Sequence, residues 1–145
     1  MFIAHLPAAY LVSRAFPNLS QRPLLIGSVL PDLDLLLVYV GGVAQHHHNF
    51  LSHRPALWIA LMIAGFAAQS PWVRALALGA IVHVLLDTVA GQIAWAWPLS
   101  SWTMPVVTVP ARYEYWVWNF ILHWSFLIEL VICAGALYQL KNPRR

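Results

Sequence analysis

Charged side chains are scarce in this chain. They make up 9% of its 145 residues, and only five of them are acidic; an average soluble domain carries roughly 25% charged residues. That shortage excludes a surface of ordinary water-facing composition. Cysteine is almost missing as well. Cys133 stands alone in an apolar run with no base beside it, which excludes a disulfide framework and gives no support to a thiol nucleophile. A basic stripe is also absent: the eight Lys and Arg are scattered, so the net charge of +3 does not point to nucleic acid as a partner. No internal repeat or low-complexity tract is present. Neither Ser28 nor Ser125 stands in a recognisable Ser-His-Asp spacing, so serine nucleophile catalysis is unsupported. The opening stretch MFIAHLPAAYLVSRAF lacks a basic leader region and a clean cleavage site, and is read as retained structure.

Apolar and aromatic residues are abundant. Hydrophobic residues reach 61%, with eight Trp and five Tyr, and the mean hydropathy is +0.68. The length suits a single domain, residues 1–145, of four or five helices. Helical periodicity covers 2–16, too short to span a bilayer. Longer apolar segments follow at 24–43, 55–69, 73–97 and 114–140, separated by turns and by a Pro-, Ser- and Thr-rich loop at 98–112. Lipid is the expected cover for so much apolar surface, with Trp and Tyr forming interfacial belts. The expected fold is therefore all-α, an integral membrane helical bundle of about four embedded segments plus a short N-terminal helix. With both termini on one side, Arg14, Arg22, Arg74, Lys141, Arg144 and Arg145 share that side, and the positive-inside rule makes it cytoplasmic. Arg54 and Arg112 then take the other side.

Four of the five acidic residues, Asp32, Asp34, Asp87 and Glu129, sit inside apolar segments. A carboxylate there is costly unless it is paired, and a bound cation is the commonest way to make buried carboxylates and imidazoles tolerable together. His83 and Asp87, in HVLLD, are four apart and project from one helix face, where they either share a metal or hydrogen-bond to each other. Asp32 follows Pro31 and suits the first turn of a new helix. Ligand, general base and simple helix cap are its open readings, and a cap is the main alternative for Asp34. His46, His47, His48 and His53 fall within eight residues, and neutral imidazole is a preferred ligand of zinc and similar metals. His46 and His47 are expected to be exposed. His5 lies on an apolar face, and His123 and Glu129 are six apart, not on one face.

Taken in order, His5, GSVLPDLD (27–34), HNFLSHR (48–54), GAIVHVLLD (79–87) and WPLS (97–100) resemble the YdjM-type family. These are bacterial inner-membrane proteins under LexA control, described as metal-dependent hydrolases. More distantly, the layout is similar to zinc-dependent phospholipases C, which are all-helical. The resemblance implies metal ligands at His5, Asp32, His48, His53, His83 and Asp87, with Asp34 as an auxiliary ligand or base. It also implies a location in the inner membrane. The phospholipases carry a downstream HxxxE pair that this chain lacks, since Leu127 stands four residues after His123. One or two ions are expected rather than three, with zinc favoured and manganese the alternative.

The activity implied is a metal-dependent hydrolase acting on a lipid-borne or amphiphilic phosphoester, with membrane lipid as a partner. The cation would activate a water that Asp32 or Asp34 orients or deprotonates. Arg54 could pair with a substrate phosphate. Two readings from other classes stand beside it. One is an ion or proton transporter that uses the same carboxylates as a relay. The other is a b-type haem electron carrier with His83 and His123 as axial ligands.

Overall fold

The two central helices each start at a proline. In the computed structural model, which describes residues 1, 3–44 and 46–142, helix α4 (Pro55–Ala67) and helix α5 (Pro71–Asp87) both begin with proline at the first position. That position needs no backbone N–H, so proline fits there without loss. Ser70 caps α5 by accepting the Val73 N–H at 3.3 Å. Before these two come α1 (His5–Ala15), α2 (Gln21–Gly27) and a 3₁₀ turn, Leu30–Asp34, that runs into α3 (Leu35–Tyr39). Two further 3₁₀ turns, His47–Asn49 and Leu51–His53, lead into α4. Two helices, α6 (Trp116–Ile121) and α7 (Phe126–Lys141), close the chain, and the described residues contain no strand.

Helix α5 is the hub, with α2 and α4 packed closely along it and α1 touching both α5 and α7. Its inner face is made of small residues, Ala75, Ala77, Gly79 and Ala80, all buried. At the crossing with α2 two glycines meet: a Cβ on Gly79 would fall on the Leu24 carbonyl, and one on Gly27 on the Leu76 carbonyl. Only hydrogen fits at either position, and the backbones approach accordingly. Trp58, Leu76, Ala80, Val84 and Ile93 form the larger buried cluster, and Ala9, Leu24 and Ala75 the smaller one.

The helical class agrees with the sequence, but the membrane-embedded bundle does not. Among the described residues no helix is long and apolar enough to cross a membrane. The longest, α5, has 17 residues and also carries Arg74. At about 1.5 Å per residue a helix of that length falls short of a hydrocarbon core of roughly 30 Å. The expected four embedded segments, the multi-pass inner-membrane location and the cytoplasmic placement of the termini are all overturned by this finding. Arg144 and Arg145, assigned to the cytoplasmic side, lie outside the described residues.

The physical reason is that three of the four long apolar segments are broken by turns and local hydrogen bonding that hydropathy does not register, while 55–69 is one helix of 13 residues, too short to cross. Segment 24–43 stops as α2 at Gly27 and turns through Leu30–Asp34 around Pro31. Segment 73–97 ends at Asp87, and the Thr88 and Val89 carbonyls accept instead from the N–H groups of Val106 and Val107, at 2.9 and 2.7 Å. Segment 114–140 is interrupted between α6 and α7, where the Ser125 N–H donates to the His123 ring. The high hydropathy instead reaches the surface of short helices, with Ile63 and Phe66 of α4 and Leu127 and Val131 of α7 at least 60% exposed.

Candidate metal centre

The last turns of α5 place His83 and Asp87 on one buried face. The close α2–α5 crossing brings the Ser28 carbonyl to His83, whose Nδ1–H donates to it at 2.8 Å. A carbonyl can only accept, so the tautomer is set and the Nε2 lone pair points the other way. His53, at the end of its 3₁₀ turn, is held in the same manner. Its Nδ1–H donates to Asp34 Oδ2 at 2.8 Å, and the Ser52 hydroxyl donates to that same oxygen at 2.5 Å. With both Nδ1 atoms committed, the two Nε2 atoms face each other at 3.4 Å.

Two carboxylates complete the set. Asp87 Oδ2 lies 3.0 Å from His83 Nε2 and 3.3 Å from His53 Nε2. Asp32 Oδ1, delivered by the turn after Pro31, lies 3.5 Å and 3.7 Å from the same two nitrogens. Donors held about 2.0–2.1 Å from one tetrahedral ion stand about 3.3 Å apart. The distances here, 3.0 to 3.7 Å, bracket that edge. Asp87 Oδ2 is moreover buried with no hydrogen-bond partner outside the cluster, a costly state for a carboxylate oxygen that a cation relieves. The buried cluster Asp32, His53, His83 and Asp87 can therefore hold a metal ion.

Further groups close around Asp87. His5, at the start of α1, puts Nε2 3.3 Å from Asp87 Oδ1 and stacks its ring on His83, with centroids 3.8 Å apart. The Met1 ammonium pairs with the same Oδ1. His48 Nε2 stands 3.6 Å from Asp87 Oδ2. Its ring lies over Gly91, where a Cβ would come within 2.7 Å of Nδ1, so glycine makes the room for this imidazole.

The electrostatics follow from the crowding. Burial alone would push the Asp87 carboxyl up, but His5, His53 and His83 overcome it and hold it well below the usual carboxylate range. Asp32 is likewise lowered against the effect of burial, by His53 and His83. Burial opposes the charged form of His53, yet Asp32 and Asp87 beside it raise its pKa to about 9. The ring thus carries a second proton on Nε2, between two oxygens and the His83 lone pair. Burial drives His48 down to about 3 against the pull of Asp87, and burial with the charge of His53 takes His47 to about 4.

All six residues that the resemblance implies as ligands, His5, Asp32, His48, His53, His83 and Asp87, are brought together around Asp87. The Asp34 carboxylate grips the far side of His53. Arg54 donates to the Asn49 carbonyl at 2.9 Å. His123 bonds to Ser125 and lines a separate small cavity with Arg112 and Asn119, so it is not brought to His83. Glu129 is buried and accepts the Ile3 N–H at 2.5 Å. Sequence reasoning missed His47, whose Nδ1 is buried 4.0 Å from both Asp32 and Asp34. Its place beside His48 was the available signal. It also missed the Ser28 carbonyl, which no side-chain motif marks. Compared with known proteins, the chain matches no family model, no curated protein and no solved structure.

Proposed function

We propose that this chain is a metal-dependent hydrolase that takes zinc as its cation and a phosphoester on an amphiphilic molecule as its substrate. The observation that carries the reading is the pair of imidazoles with tautomers fixed from behind, facing two carboxylates at tetrahedral spacing. Two nitrogen and two oxygen donors suit zinc. A cation held by them would supply Lewis acidity, polarising a phosphoryl oxygen and lowering the pKa of a water. The residues themselves bind and orient. Asp32 has 30% of its side chain exposed, against 2% or less for the other three, so substrate and water reach the cluster from its side. Held ionised, Asp32 orients a water rather than storing its proton.

An apolar groove of about 390 Å³ runs along Leu6, Leu25, Ile26, Val29, Leu30 and Leu33. Its walls include the immediate neighbours of His5, Ser28 and Asp32, which suits a substrate with a hydrocarbon portion and a polar head at the cluster. The resemblance of the block order to that of YdjM-type proteins and, more distantly, of zinc-dependent phospholipases C is in keeping with metal-dependent hydrolysis of a phosphoester. The relay and haem readings draw less support, since the four donors converge on one point and His123 lies apart.

The test is elemental analysis of purified protein, wild type against a His83→Ala, Asp87→Ala double variant, followed by assay on p-nitrophenyl phosphodiesters with and without an alkyl chain. Near-stoichiometric zinc in the wild type alone, with a lower KM for the alkyl ester, is expected. A wild type that takes up no metal after reconstitution would remove the reading.

A further inference from the structure

Behind the four-donor cluster lies a second set of donor atoms that its architecture leaves unused. Asp34 is buried, and while its Oδ2 holds His53 and Ser52, its Oδ1 is buried with no partner. His47 Nδ1 is also buried with no partner, and lies 4.0 Å from Asp34 Oδ1. Asp32 Oδ1, already facing the first cluster, is 4.0 Å from the same His47 nitrogen. At 4.0 Å the two atoms are too far apart to hydrogen-bond to each other. Leaving both buried is expensive, whereas one cation between them satisfies both.

Two donors that each hold an ion about 2.0–2.2 Å away stand up to about 4 Å apart, depending on the angle at the ion. The observed 4.0 Å separations lie at the wide end of that range. His47 reaches the gap because its 3₁₀ turn, His47–Asn49, sets its ring tilted against His48 with centroids 4.0 Å apart and edge-on to His53 at 5.0 Å. His46 is spent differently: its Nδ1 accepts the His48 N–H at 3.3 Å and caps the turn.

We infer that Asp34 Oδ1 and His47 Nδ1, with Asp32 shared between the two centres, form a second divalent-cation site beside the first. The inference rests on the metal-site reading above and extends it from one ion to an adjacent pair. A pair bridged by the exposed carboxylate places positive charge on two sides of an incoming phosphoester, the arrangement by which two-metal hydrolases steady both the attacking and the leaving oxygen. Asp34 then acts twice, orienting His53 with one oxygen and ligating with the other.

The experiment is a zinc stoichiometry. Full-length protein is stripped with chelator, dialysed against Zn²⁺ and measured by elemental analysis. The variants are His47→Ala, His47→Gln and, as control, His46→Ala, each checked for folding by circular dichroism. Two zinc ions per chain in wild type and His46→Ala, with one retained in both His47 variants, is the expected result. One ion per chain in every protein overturns this inference and leaves the first site standing. Two ions in the His47 variants also overturn it, because the second ion then lies elsewhere. No zinc in the wild type overturns the metal-site reading and this one together.

Discussion

Loading the centre with metal should displace a proton, and the residue that gives it up is His53. Without metal, its Nε2 carries a proton with a pKa of about 9, held by Asp32 and Asp87. A cation needs the lone pair under that proton. At pH 7, about two units below that pKa, only about one molecule in a hundred offers it, a penalty of about 3 kcal/mol on the apparent affinity. His47 and His48, with pKa values of about 4 and about 3, are already neutral at that pH and add no such cost. Zinc affinity should therefore rise about tenfold per pH unit from about pH 6.5 to about pH 8.5. The assay is isothermal titration calorimetry in two buffers of different ionisation enthalpy, which counts protons released per ion bound. Wild type should release about one more proton than His53→Gln at pH 7. Equal proton counts, or an affinity flat across that pH range, would refute the reasoning.

Two further outcomes follow from the same geometry. The metal-free protein should be most heat-stable near pH 6.5. The raised His53 pKa contributes stability that is complete below about 6.5 and lost as pH climbs through about 9, while the lowered His47 and His48 values contribute stability that is lost as pH falls from about 6.5 towards 4 and 3. A melting temperature in chelator that rises steadily from pH 6 to pH 9 would contradict this. Gly79→Ala should cost about 1–3 kcal/mol or more in thermal unfolding, because its methyl group meets the Leu24 carbonyl, and it should weaken zinc binding by parting Ser28 from His83. A Gly79→Ala variant that melts and binds like wild type would show that the crossing yields easily.

Much of the site could be read from residue type and spacing. The HVLLD pair had to share a helix face, and it does. Acidic residues placed inside apolar segments had to be paired, and Asp34, Asp87 and Glu129 are buried with partners. The helix lengths were not legible. Hydropathy adds up along a segment and does not see that Pro31 turns the chain, or that the Thr88 and Val89 carbonyls are taken by residues 106 and 107. The roles of Ser28 and His47 were hidden for a different reason. One acts through its backbone, and the other depends on how a 3₁₀ turn folds back, which no side-chain pattern encodes.

The grip of α7 on the N-terminal segment has a consequence for assembly. Every donor of the centre lies at or before Asp87, so a ribosome has delivered all of them well before it makes α7. Yet the residues ahead of α1 are tied down by Glu129, whose carboxylate takes the Ile3 N–H, and α1 itself lies against α7. A nascent chain paused before Glu129 thus owns the whole ligand set and can already lay α1 on α2 and α5, but it lacks the carboxylate that holds the Ile3 N–H. Helix α7, made after every donor, thus fastens Ile3 ahead of the site without contributing a donor of its own.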